Sequence, residues 1–201
     1  MTNLITHNLF PTPVGITHIQ NPVTEFEYKW IESLNKQLNK GNLTSVNTYI
    51  FNEKCMERIA LFCEEGLNNF FQEVYKPANP NTKLRITQSW ANYTNINEYH
   101  HTHTHPNSFI SGVFYVDTNE QDKIIFYKPD QSFRISANEF NHWNSISWWM
   151  PTEPNSLLLF PSTLHHGVDP KETEGTRISI SFNTFLTGEI GEGEFLTQLF
   201  L

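Results

Sequence analysis

Cysteine and positive charge are both scarce in this 201-residue chain. Cys55 and Cys63 are the only cysteines. A helical reading of their surroundings sets them roughly 12 Å apart along the axis, beyond the ~4.4 to 6.8 Å that a disulfide bridges between Cα atoms. Free thiols in a reducing compartment are expected. Thirteen Lys plus Arg face twenty-one Asp plus Glu, a formal net charge of -8. That is the wrong sign for a surface that neutralises phosphates, so no nucleic acid partner is expected. Apolar runs stop at four or five residues, as at 59–63 and 157–160, where a membrane span needs about twenty. No membrane partner is expected. The first residues, MTNLITHNLFPTP, have no basic start and no long apolar stretch, so the expected location is cytoplasmic rather than secreted.

With 38% hydrophobic and 17% charged residues, the chain suits one globular domain over 1–201. Residues 1–80 read as an N-terminal segment with two helices, 83–186 as a β core and 187–201 as a tail. Glu25 to Lys40 reads as a polar helix. Residues 53–76 read as a stronger one capped by Asn52, with Met56, Ile59, Ala60, Cys63, Leu67, Phe70, Phe71 and Val74 recurring every three to four positions as one apolar stripe. Beyond residue 83 come short β-like runs: LRITQSWANY, NSFISGVFYV, KIIFY, SFRIS, SISWW, SLLLF and TRISISFNTF, separated by Pro, Asn, Asp and Gly. Strands without intervening helices fit an antiparallel sandwich or jelly roll. The expected class is mainly β, a cupin-like double-stranded β-helix with two helices packed on the sheet. The tail, EIGEGEFLTQLFL, reads as an acidic turn and a short packing segment or helix.

Histidine is plentiful: nine in all, with His100, His101, His103 and His105 crowded together and His142 not far beyond. A strand would place His101, His103 and His105 on one face and His100 on the other. Three imidazoles on one face suit a metal, though a bare H-x-H equally suits a solvated edge. The pair His165-His166 follows the apolar strand SLLLFPS, where the chain should leave the sheet, and could supply a further ligand. Arg177 opens the alternating strand RISISFN, so Arg177, Ser179, Ser181 and Asn183 share a face. Arg177 and Ser179 offer a fork and a hydroxyl suited to a carboxylate. Water is the competing partner for that face. The aromatics from His142-Trp143 to Trp148-Trp149-Met150 read first as core filling, and second as the lining of a substrate mouth.

H-x-H, a distal His and R-x-S on late strands together resemble the Fe(II) and 2-oxoglutarate-dependent oxygenases of the prolyl-hydroxylase-like superfamily. LFPTPV (9–14), SWANY (89–93), HTHPNSFISGVFYV (103–116), LLLFPSTLHHGVDP (157–170) and RISISFN (177–183) resemble the blocks of a small bacterial and phage family among them. The resemblance implies an oxidoreductase, a dioxygenase that takes Fe(II) as cofactor and 2-oxoglutarate and dioxygen as co-substrates. It implies His103, His105 and His166 as metal ligands, and Arg177 and Ser179 as the anchor of the distal carboxylate. Asn92 resembles an asparagine that some relatives use on the co-substrate; a strand-end capping role is the alternative. His105 stands where most such enzymes carry an Asp, which leaves two options: it ligates, or it stands behind the ligands while Asp169 or water completes the sphere.

The reaction expected on this resemblance is hydroxylation of a small-molecule or peptide substrate, with release of succinate and CO2. Two alternatives use the same residues: a cupin-like tris-histidine metal enzyme without 2-oxoglutarate, and a non-enzymatic jelly-roll module. A homodimer is left open.

Overall fold

The computed structural model describes residues 3–128 and 135–201. In chain order its main elements are β1 (Gly15–His18), α1 (Glu25–Ser33), β2 (Lys36–Leu38), β3 (Leu43–Ser45), α2 (Glu57–Val74), β4 (Lys83–Thr94), β5 (His100–His103), β6 (Ile110–Asp117), β7 (Lys123–Tyr127), β8 (Ser147–Pro151), β9 (Ser156–Pro161), β10 (His166–Val168), β11 (Arg177–Thr187), β12 (Glu189–Ile190) and β13 (Leu199–Phe200). A large sheet runs β1-β9-β6-β11-β4-β3-β2 and a smaller one β5-β10-β7-β8. Val113, Tyr115, Leu158 and Phe160 of the large sheet pack on Ile124 and Phe126 of the smaller one. The opposite face of the large sheet meets α2 through Ile59, Cys63, Leu67 and Phe71, which pack with Ala91, Phe114, Leu157 and Phe182. This is the jelly roll with helices on one sheet that the strand spacing predicts.

The polar helix ends earlier than its composition suggests. A capping box starts α1: Thr24 Oγ1 accepts the Glu27 N–H at 3.2 Å, and Glu27 Oε2 accepts the Thr24 N–H at 2.8 Å. The helix stops at Ser33, and residues 36–38 turn back through Gly41, at φ +100°, to pair with β3. Turn chemistry at Gly41 outweighs the helical propensity of Lys36 to Lys40.

Glu27 also accepts from Arg58 Nε at 3.0 Å and Nη2 at 2.6 Å. Burial alone would raise the Glu27 pKa; the bonds from Arg58 and Thr24 outweigh it and hold the carboxyl below its usual value. A depressed folded-state pKa contributes stability above the unfolded pKa and loses it as pH falls through the folded one. Glu27→Gln is therefore expected to cost about 1.5–3 kcal/mol at pH 7. That deficit should shrink below about pH 4 in denaturant titrations run across pH.

Asn52 does not cap the second helix. Residues 50–52 and 54–56 form two short 3-10 turns, and α2 begins at Glu57. Ile50 and Met56 are wholly buried, and the Phe51 N–H donates to Ser89 Oγ at 3.0 Å. The segment is thus tied to the sheet before the helix can start. The stripe holds from Ile59 to Phe71, while Val74 is 37% exposed.

Gly112 lies where β6 crosses the Phe182 ring: a Cβ there would fall 2.0 Å from Phe182 Cζ. Phe182 is fully buried and cannot yield cheaply. Gly112→Ala is expected to destabilise by roughly 1–3 kcal/mol or more, read as a lowered melting temperature.

The expected strand SFRIS lies mostly outside the described residues. Trp143, Trp148 and Trp149 are 54%, 44% and 58% exposed, so the reading of these aromatics as core fails. The smaller sheet ends at β8, and no further layer covers it among the described residues. The tail is a β12–β13 hairpin with Phe195, Leu196 and Phe200 exposed, rather than a packed segment. Cys55 and Cys63 are free, as the spacing predicts. Among the described residues no helix is long and apolar enough to cross a membrane.

Candidate functional site

His103 closes β5 and His166 opens β10, and the two are directly paired across the strands. His105 lies two residues beyond β5, its N–H held by the Ser162 carbonyl at 3.0 Å. The three rings converge. His105 Nε2 lies 3.2 Å from His103 Nε2 and 3.2 Å from His166 Nε2.

Each of these rings has its other nitrogen committed to an oxygen. His103 Nδ1 donates to the His101 carbonyl at 2.7 Å, His105 Nδ1 to Asn183 Oδ1 at 2.7 Å and His166 Nδ1 to the Leu164 carbonyl at 2.9 Å. A neutral imidazole carries one N–H, so in this arrangement all three Nε2 atoms are bare acceptors facing one another. They have no proton to share, and only a cation between them relieves the crowding. The set fits a metal: imidazole nitrogens about 2.1 Å from one ion stand roughly 3.0–3.4 Å apart.

The rings are also kept neutral. Burial, with the neighbouring imidazoles, pushes the pKa of His166 down to about 3 and that of His105 to about 4. Burial lowers His103 as well. Packing holds their planes: Trp90 stacks on His105 at 5.9 Å between centroids, and Phe160 lies edge-on to His166 at 4.6 Å.

The same cavity reaches Arg177, Ser179, Asn92 and Tyr115 on the large sheet. The register places them as neighbours, with Arg177 opposite Thr94, and Ser179 between Asn92 and Tyr115. Arg177 is 5% exposed. It donates from Nη2 to Thr94 Oγ1 at 3.2 Å, and its Nη1 lies 3.8 Å from Asp122 Oδ1. Burial lowers its pKa while Tyr115 and Asp122 oppose that shift; a guanidinium stays charged throughout. Asn92 sits within β4 rather than at its end, and its amide donates to Ser181 Oγ at 2.9 Å. It is therefore not a strand-end cap.

Other sequence candidates lie apart from this group. His165 is exposed beside His166. His142 stacks on Trp148 at 4.7 Å. Asp169 lines a second cavity of about 460 Å³ on the far side of Arg177, not the histidine cluster. Strict alternation along 100–105 also fails, since β5 and β10 slip register between His166 and Val168. His100 consequently stacks on His103 at 4.6 Å and lines the cavity. Sequence reasoning left two residues without a role: Asn183, although it shares a face with Arg177, and Tyr115, hidden inside the apolar run SGVFYV.

Asn183 is the only side chain bonded to His105 Nδ1 among the described residues. Asn183→Ala is expected to weaken metal binding by about 10- to 100-fold, measured by competition with a chelator.

Residues 88–183, which carry every one of these cavity side chains, match the sequence model of a family described as "Putative 2OG-Fe(II) oxygenase". Over those residues, just under half of its length, the chain is similar to the 2OG-Fe(II) oxygenases. That match points to an oxidoreductase that takes Fe(II) and 2-oxoglutarate. Solved structures share its fold. HygX from Streptomyces hygroscopicus, solved with nickel and 2-oxoglutarate bound, superposes with TM-score 0.60 at 14% identity, over 86% of this chain and 82% of that one. A Pseudomonas putida prolyl-4-hydroxylase gives TM-score 0.55 at 11% identity, over 86% and 92%. The 2-oxoglutarate-dependent epimerase SnoN from nogalamycin biosynthesis gives 0.57 at 11%, over 79% and 68%. No curated protein sequence matches the chain.

Proposed function

We propose that His103, His105 and His166 hold the iron, that Arg177 and Ser179 bind the distal carboxylate of 2-oxoglutarate, and that Asn92 lines its path. The observation that supports this most is the trio of proton-free Nε2 atoms, that of His105 lying 3.2 Å from each of the other two, in a cavity whose far end holds Arg177. When bound, Fe(II) supplies the redox chemistry that couples 2-oxoglutarate and dioxygen to substrate oxidation. With a substrate C–H the balance is one dioxygen and one 2-oxoglutarate in, and one alcohol, one succinate and one CO2 out. Hydroxylation of a small-molecule or peptide substrate is the reaction proposed.

The protein's own share is binding, orientation and exclusion of water. Val113 and Ile124 line the cavity with apolar surface, and Phe126 and Phe160 pack against His166. The Nδ1 bonds fix the three imidazoles in the ligating tautomer before metal arrives, which lowers the reorganisation cost of binding. Arg177, with Thr94 and Asp122 beside it, presents a pre-aimed fork to an incoming carboxylate.

Anaerobic titration of the Fe(II)-loaded protein with 2-oxoglutarate tests this reading. A weak visible charge-transfer band from chelation is expected. Iron binding without a band would favour a tris-histidine enzyme that does not use 2-oxoglutarate, and no iron binding would leave a structural jelly roll.

A further inference from the structure

Three polar side chains of the cavity besides the metal cluster have no protein hydrogen bond among the described residues: Ser179, Tyr115 and His100. Ser179 is already assigned to the carboxylate. His100 differs from the other two because it comes from the opposite sheet. In β5 it pairs with Val168, a residue that lines the cavity with Arg177, whereas His103 pairs with His166. Three residues of strand place the His100 backbone roughly 10 Å from that of His103, toward the Arg177 end. The ring then folds back to stack on His103 at 4.6 Å and 22°. It lines the same cavity as Asn92, Ser179 and Arg177 of the large sheet.

A neutral imidazole has one N–H donor and one acceptor. Once a ligand fills the cavity and displaces water, leaving such a donor unpaired is costly. A carboxylate has about four acceptor positions; a guanidinium fork fills two and a hydroxyl a third. We propose that His100 donates its N–H to a carboxylate oxygen of 2-oxoglutarate, completing from the small sheet a cradle that Arg177 and Ser179 begin on the large one. This rests on the reading of the cavity as the 2-oxoglutarate site. His101, the remaining histidine of the run, bonds to the Lys40 carbonyl at 3.3 Å and takes no part.

The test is calorimetric titration of the nickel-loaded protein with 2-oxoglutarate, nickel standing in for iron so that nothing turns over. His100→Phe keeps a stacked ring and removes the donor; it is expected to weaken 2-oxoglutarate binding tenfold or more. His100→Gln restores an N–H donor and should recover to within about threefold of the wild type. Nickel affinity measured without 2-oxoglutarate should stay within twofold in both. The proposal is overturned if His100→Phe binds 2-oxoglutarate within twofold of wild type. It is equally overturned if nickel affinity falls as far as 2-oxoglutarate affinity, since His100 would then serve the metal. Should the Phe variant not fold, His100→Leu against His100→Gln gives the same ratio. A wild-type protein that binds nickel but no 2-oxoglutarate would bring down the co-substrate reading itself, and this inference with it.

Discussion

Removal of His166 is expected to abolish metal-dependent stabilisation while leaving a folded protein. His166 is 4% exposed and contributes one of three bare Nε2 atoms. In the metal-free wild type those lone pairs crowd one another, so His166→Ala trades lost packing and one hydrogen bond against relief of that repulsion. The metal-free variant should melt within a few degrees of the wild type. With metal the two diverge. A ligand at a hundredfold excess over its dissociation constant stabilises by about 2.7 kcal/mol, which for a chain of this size raises the melting temperature by roughly 5–10 °C. Wild type should show that rise with Fe(II) or nickel(II), and His166→Ala should show none. His165→Ala, one residue away on an exposed side chain, should behave as wild type. A full metal shift in His166→Ala would remove it from the ligand set.

The second large effect concerns Arg177. Arg177→Ala is expected to weaken 2-oxoglutarate binding by about a hundredfold, since charge-assisted bonds of the fork contribute about 1.5–3 kcal/mol each. Metal affinity should be unchanged. Arg177→Lys should recover only part of the loss, because an ammonium cannot present two parallel N–H groups. The single variant also strands Asp122, whose side chain is 6% exposed and whose Oδ1 lies 3.8 Å from Nη1. An uncompensated buried charge is destabilising, so the double variant Asp122→Asn with Arg177→Ala separates the two effects. It should regain thermal stability without regaining affinity. Unchanged 2-oxoglutarate affinity in the double variant would show that the distal carboxylate is held elsewhere.

Legibility in the sequence followed chemical contrast. In 177–183 one face is Arg, Ser, Ser and Asn and the other Ile, Ile and Phe, so period-two alternation alone grouped the polar side chains on one face, and the structure, pairing that strand between β4 and β6, turns Arg177, Ser179 and Ser181 into the cavity. The run 100–105 offered no such contrast. Every second residue and its neighbour is histidine, so nothing in the pattern marks the register slip against β10 that brings His100 inward. The polar run 25–40 failed for another reason: propensity along Lys36–Lys40 is local, while the hairpin with β3 is fixed by Gly41 and by pairing to a strand later in the chain.

The sequence by itself determined the mainly β jelly roll with two helices, the free thiols, and the histidines and arginine that the fold brings to one cavity, since these depend on composition, periodicity and motif spacing. Only the tertiary structure decided that His105 stands between His103 and His166, that Asn183 sets its tautomer, that Asp169 lies outside the cluster and that Trp143, Trp148 and Trp149 face solvent. Those facts depend on contacts between residues 61 and 78 positions apart and on which sheet edge stays uncovered. Angstrom-scale convergence of that kind arises from the packing of two sheets, which one-dimensional spacing does not encode.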